Sequence, residues 1–293
     1  MKKYVGLWLM GAVLAGGAVT GAAQSDTNGM QAPPKVLVVF REYMKPGKGG
    51  SPHMKTESAF VQAFTAAKWP THYLTVDSMS GRPRSLFLIG YDSFAAWEKD
   101  NKALEKNASL GAALDRAAIA DGEMLAGMDG GVLIYNEEYS LRANINIGEY
   151  RYFEVSRFVI RPGHEKDWDD LVKMYKDAYG KIDANARWVT FSSMYGADNG
   201  GVYVVFTPMK SLSEVDAEMA DSKKFEAAMG ANGMKKLAEL SAACIQTTET
   251  NLFSFNPKLS YVSDEWVKTD PAFWKPKAAA PAPAKKPEAK PAQ

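Results

Sequence analysis

Hydrophobic residues along this chain fall into short β-like runs that alternate with longer stretches of helical spacing. Val36 to Met44 is rich in β-branched and aromatic residues and stops at a Pro-Gly break, which predicts a strand. After a Gly-rich connector, Ser51-Pro52 opens a helix, because proline is tolerated in a first turn and the following HMKTESAFVQAFTAA is helix-forming. His72 to Ser80 and Arg84 to Tyr91 predict two strands around a Ser-Gly-Arg-Pro turn. Asp92 or Ser93 caps a helical region that runs, with a break near Asn107 to Gly111, to about Ala126, and Val132 to Tyr139 supplies a fourth strand.

The same order then returns. Tyr150 to Ile160 predicts a strand ended by Arg161-Pro162-Gly163, and His164 to Tyr179 a helix. In that helix Trp168, Leu171, Val172 and Tyr175 lie at spacings that put them on one buried face. Arg187 to Tyr195 and Gly201 to Thr207 pair around Ala197-Asp198-Asn199-Gly200, whose Asn-Gly is a strong hairpin signal. Ser211 or Ser213 caps a helical region ending near Ala243, and Ile245 to Phe255 is the last strand.

This return is also written in the residues. VVFREYMKPG (Val38 to Gly47) matches EVSRFVIRPG (Glu154 to Gly163) at an offset of 116 (163 − 47). YLTVDSMSG (Tyr73 to Gly81) matches WVTFSSMYG (Trp188 to Gly196) at an offset of 115 (196 − 81), and Asn136 matches Asn256 at 120 (256 − 136). Three matches in one order with a slowly drifting offset mark an internal duplication. The order βαββαβ is ferredoxin-like, an antiparallel sheet with both helices on one side. Such a sheet leaves its other face bare, and a second copy is the economical cover. The Pro-Gly break before a helix, the hairpin and the duplication resemble the dimeric α+β barrel superfamily, with its antibiotic-biosynthesis-monooxygenase-like, EthD-like and NIPSNAP-like members. The resemblance spans about Val36 to Tyr261 and implies an α+β fold, two tandem ferredoxin-like repeats (residues 36–140 and 150–261) closing one intramolecular barrel.

The ends of the chain are different in kind. Lys2 and Lys3 precede an apolar stretch from Tyr4 to Val19 and then small residues, the pattern of a secretory signal peptide over residues 1–23, with a flexible segment at 24–35. Export to the periplasm or beyond is therefore expected, with no membrane-spanning segment in the mature form. Lys275 to Gln293 has no aromatic or branched aliphatic residue and predicts a disordered tail. Between these ends, 46% hydrophobic and 24% charged residues suffice for a folded core. The net charge of +1 and the lack of a basic stripe interleaved with aromatics speak against nucleic acid. The single cysteine, Cys244, permits no intramolecular disulfide and reads as a small packing residue.

Candidate chemistry is sparse. Arg41 and Arg157 occupy the same place in both copies; each could present a guanidinium to a carboxylate or enolate oxygen, or hold a structural ion pair. Tyr43, Tyr73, Trp188 and Tyr195 lie on strands, as pocket lining or as core. The three histidines are His53 and His72, near a helix start and a strand start, and His164 at a polar helix opening. No two stand four residues apart and none is read as joining a carboxylate at zinc-like spacing, so no metal centre is expected. Haem-binding members of the resembled superfamily use a helix histidine, and the second helical region of each copy has none, so no cofactor is expected. The leading functional expectation is a small apolar or weakly acidic ligand bound between sheet and helices. The alternatives are a cofactor-independent monooxygenase or isomerase and an envelope-associated interaction protein. Duplication removes the need for a homo-oligomer without forbidding one.

Overall fold

The structure is a computed structural model describing residues 30–183, 185–197 and 201–275. The expected signal peptide, nearly all of the tail and the centre of the Asn-Gly hairpin turn lie outside the described residues. Element order is β1 (Val36–Met44), α1 (Ser51–Ala67), β2 (Tyr73–Ser78), β3 (Arg84–Tyr91), α2 (Phe94–Lys106), α3 (Ala108–Gly122), β4 (Leu125–Leu141), β5 (Tyr152–Ile160), α4 (Glu165–Ile182), β6 (Trp188–Tyr195), β7 (Val202–Met209), α5 (Ser213–Cys244), β8 (Ile245–Phe255), α6 (Asp264–Thr269) and α7 (Pro271–Trp274). The eight strands form one closed antiparallel barrel in the order β1-β3-β2-β8-β5-β7-β6-β4. No helix of the described residues is long and apolar enough to cross a membrane.

Strand alternation sorts side chains into two environments. Leu37 and Val39 of β1 join Leu74, Val76, Leu86, Leu88, Leu133, Phe153, Phe191, Phe206, Phe253 and Phe255 in one core drawn from all eight strands, the filled interior of the barrel. The intervening positions face the helices. On the second half, Phe158 and Ile160 pack there with Trp168, Leu171 and Val172 of α4 and Leu237, Leu240 and Cys244 of α5, so the thiol is a buried packing group.

The two seams where the halves meet repeat one hydrogen-bond device. At the β2–β8 seam, Ser260 Oγ donates to the Asn256 carbonyl at 2.6 Å and accepts from Thr75 N at 2.9 Å, and Thr75 Oγ1 donates to the Leu259 carbonyl at 2.7 Å. At the β4–β6 seam, Ser140 Oγ donates to the Asn136 carbonyl at 2.6 Å and accepts from Thr190 N at 2.9 Å, while Thr190 Oγ1 donates to the Tyr139 carbonyl at 3.0 Å. Both threonines are almost fully buried, so each seam satisfies polar groups that would otherwise be costly.

The structure departs from the sequence expectation in three places. The helical region ends at Gly122, not near Ala126, and β4 begins at Leu125 rather than Val132. Gly-rich LAGMDGG has poor strand propensity, but β1 pairs with it along Tyr43↔Gly127 to Phe40↔Gly130, and a Cβ on Gly130 would sit 3.1 Å from the Val39 carbonyl oxygen. Gln31, within the segment expected to be flexible, forms a two-way backbone bridge with Ile145. Finally, residues 264–274 form α6 and α7, which place Trp266, Phe273 and Trp274 against the barrel core, with Trp274 Nε1 donating to the Gly148 carbonyl at 2.8 Å.

Candidate functional site

The helix-facing side of the first half is built from different material. Pro52 in the first turn of α1 starts a helix that carries His53 and Glu57 one turn apart, on the face turned to the sheet, where both are buried. Glu42 of β1, one residue after the barrel-side Arg41, points the opposite way from it and meets His53 with its Oε2 3.1 Å from Nε2. Asp121, in the last turn of α3, brings Oδ1 to 3.7 Å from the same nitrogen and accepts a hydrogen bond from Thr56 Oγ1 at 2.6 Å. Exposures of 8% for Glu42, 4% for His53, 3% for Glu57 and 2% for Asp121 put all four away from bulk water. One potential ligand atom from each residue lies within 4.8 Å of the other three.

Around them a further layer is polar. Asp77 of β2 accepts from Ser85 Oγ and from Asn256 Nδ2, both at 2.6 Å, which ties the site to the β2–β8 seam. Two buried atoms have no hydrogen-bond partner among the described residues here, Glu57 Oε2 and the Tyr73 hydroxyl. On the solvent side an open groove of about 720 Å³ runs between α1 and α3, lined by Thr56, Lys55, Arg116 and a set of alanines. Thr56 thus forms part of the groove wall while bonded to Asp121.

The electrostatics follow from crowding acids in a dry place. Burial pushes the Glu57 carboxyl up to about 10, reinforced by the charges of Glu42, Asp121 and Asp77. Burial raises Glu42 and Asp121 as well, opposed at Glu42 by the His53 hydrogen bond and at Asp121 by the Thr56 hydrogen bond and then by His53. For His53, burial alone would lower the imidazole, but the Glu42 hydrogen bond and the fields of Asp121, Glu42 and Asp77 prevail and raise it. Burial, followed by Glu57 and Glu42, raises the Tyr73 hydroxyl. A set of this composition can share protons among its members, hand one to a bound molecule, or release protons to solvent as a cation takes their place.

The residues singled out from sequence separate into several places. Tyr73 lies beside the first-half cluster with its hydroxyl unpartnered among the described residues, its ring against Phe64, Phe87 and Tyr261. Arg41 and Tyr43 lie on the barrel side of β1, where Asp129 of β4 takes both, Arg41 through Nε and Tyr43 through its hydroxyl at 3.4 Å. Arg157 stands opposite Glu249 across β5 and β8, the counterpart of Arg41 opposite Asp129. Trp188 packs on Tyr179 and donates to the Tyr139 carbonyl at 2.8 Å, and Tyr195 is exposed, its ring edge-on to Phe94. Of the other histidines, His164 opens α4 with Nδ1 2.8 Å from Asp167, and His72 stacks on Tyr261. The sequence reading did not gather Glu42, His53, Glu57 and Asp121. One signal was present, because His53 and Glu57 stand at i and i+4 of a helix, a spacing that serves metal ligands as readily as two histidines would.

No family model matches the sequence, and no curated protein does. Solved structures do match in fold. A protein of Fusobacterium nucleatum, provisionally assigned as a monooxygenase, aligns over 77% of this chain and 94% of its own with TM-score 0.50 and 12% identity. An anthrone oxidase-like protein aligns over 75% and 91% with TM-score 0.49 and 15% identity. A mutant chlorite dismutase from Candidatus Nitrospira defluvii aligns over 83% and 99% with TM-score 0.45 and 10% identity. At 12% identity the likeness to the Fusobacterium nucleatum protein is one of fold alone.

Proposed function

We propose that this chain is a small-molecule-binding barrel protein of enzyme type, whose working centre is the polar pocket between sheet and helices of its first half. The observation that carries this reading is the gathering of three carboxylates and an imidazole, all buried, at a place where the other half has a packed apolar core. Buried ionisable groups weaken a fold, and a chain that keeps four together has a use for them. The groove between α1 and α3 supplies an approach, and the unpartnered Glu57 oxygen and Tyr73 hydroxyl are free to hydrogen-bond a guest. A small, weakly acidic molecule suits such surroundings. A buried acid beside an imidazole, as in the Glu42–His53 pair, suits proton-transfer chemistry of a monooxygenase or isomerase kind.

The reading extends to the origin and destination of the chain. An internal duplication of a ferredoxin-like unit accounts for the matched sequence segments, for the strand order β4-β1-β3-β2 recurring as β8-β5-β7-β6, and for the repeated Thr-Ser-Asn seams. Export accounts for the basic and apolar amino terminus.

The test is mass spectrometry of small molecules carried through purification by the wild-type chain and by the double variant His53→Phe/Glu57→Leu, which fills the pocket with apolar atoms. A compound retained by the wild type and lost from the variant is the expected result. Equal retention, or none by either, would overturn the assignment of the pocket.

A further inference from the structure

Resting on the reading that the first-half pocket is the working centre, we propose that Glu42, His53, Glu57 and Asp121 together bind one divalent transition-metal cation of the manganese, iron or zinc type.

Four features of the geometry lead there. The donors converge: the His53 nitrogen lies 3.1 Å from a Glu42 oxygen and 3.7 Å from an Asp121 oxygen, and one ligand atom of all four fits within 4.8 Å. Ligands about 2.1 Å from a central ion stand roughly 3–4 Å apart, so the set needs only a slight contraction to close on one. The pocket also contains an orphan, because Glu57 is only 3% exposed and its Oε2 has no partner among the described residues. A buried carboxylate oxygen without a donor is costly, and a cation is a partner that would satisfy it. An outer layer is in place, since Thr56 Oγ1 donates to Asp121 Oδ1 at 2.6 Å and so orients that carboxylate. Fourth, the donors come from three elements, β1, α1 and α3, and at the corresponding place in the second half none of them recurs.

The donor chemistry selects the class of ion. Three carboxylates and one imidazole are too oxygen-rich for a soft monovalent copper site, which favours thiolate or thioether ligands. The imidazole in turn distinguishes the site from the all-oxygen cages of calcium and magnesium. A dication beside three ionised carboxylates leaves one net negative charge, far less to bury than three. The groove between α1 and α3 comes nearest the donors at Thr56, which lines it and donates to Asp121.

The experiment uses the full chain, stripped with a chelator, dialysed and titrated calorimetrically with Mn²⁺ and with Zn²⁺, and examined with Co²⁺ as a spectroscopic probe. One equivalent per chain is expected, with visible cobalt absorption of a nitrogen–oxygen site. Glu57→Gln, which nearly conserves shape and removes a buried acid, should weaken binding by about ten-fold or more, and Thr56→Val by roughly ten-fold. His164→Gln, which removes the more exposed histidine–carboxylate pair, should leave the titration unchanged. Failure of all three ions to bind, or binding of equal strength in wild type and Glu57→Gln, would overturn the proposal. The two readings fail separately: a small molecule retained by the wild type and lost from His53→Phe/Glu57→Leu, with no cation bound, removes the metal and leaves the pocket.

Discussion

The two sheet–helix interfaces of this barrel start from the same plan and fill it with opposite chemistry. At the offset that relates Tyr73 to Trp188 (188 − 73 = 115), His53 and Glu57 of α1 correspond to Trp168 and Val172 of α4. Glu42 faces Ser85 across β1 and β3, and Phe158 faces Tyr203 across β5 and β7. In the second half the rings interlock, with Trp168 stacked on Tyr203 at 5.1 Å, tilted against Phe158 at 5.1 Å and edge-on to Tyr139. That interface gains from burial of large apolar surfaces, of order 1.5–3 kcal/mol for each fully buried side chain. The first half gives up that gain at the matching positions and keeps ionisable groups out of water instead. One half of the barrel is held by packed rings while the other holds buried ionisable groups, a division open to one chain whose halves differ in sequence and closed to a symmetric pair of identical subunits.

The comparison can be broken most severely by moving the acid across. Val172→Glu would bury a carboxyl against Trp168 and Leu240 with no histidine to meet it, and should lower stability by about 3 kcal/mol or more, read as a drop in the denaturant midpoint. The reverse exchange in the metal-free chain should act the other way. Glu57→Leu removes an unsatisfied buried acid, and stability should be unchanged or rise by up to about 2 kcal/mol. A large loss would show that Glu57 is part of the structural core.

A titration sharpens the same contrast. Because Glu57 is raised from 4.5 to about 10 in the fold, it is neutral when folded and ionised when unfolded over the interval between. The unfolded state therefore releases a proton that the folded state keeps, and the stability of the metal-free chain should fall as pH rises from the lower value toward the upper. His53, also raised, shifts stability in the same direction: its contribution is present in acid and lost as pH rises through its folded value. Denaturant midpoints across that range should decline for the wild type and flatten in Glu57→Gln. The smallest effect belongs to the barrel-side pair. Arg41 and Asp129 have side-chain exposures of 28% and 50%, and Asp129→Asn should cost less than about 1 kcal/mol in a salt-sensitive manner.

What could be read in the sequence follows a physical division. Strands and hairpins were legible because period-two patterns and Pro-Gly or Asn-Gly breaks are local. The start of β4 was not, since Gly127 to Gly131 become a strand only through pairing with β1. Nor were α6 and α7, where Trp266 and Trp274 gain their place from the barrel they dock on. The site was half visible. His53 and Glu57 share a helix face that could be read directly, whereas Glu42 sits in a strand next to the more conspicuous Arg41, and Asp121 comes from a helix whose last turn the pattern did not locate.

The seam between β2 and β8 has a consequence for how the molecule is made. Asp77 beside the site is held by Asn256, and Thr75 on the same strand by Leu259 and Ser260, so the segment that follows β8 supplies the clasp for the first half. A nascent chain halted before residue 250 would have its acids and its histidine but an open ring around them. The first-half site therefore takes its final shape only once the segment after β8 has docked on β2, so closing the ring and assembling the site are a single event.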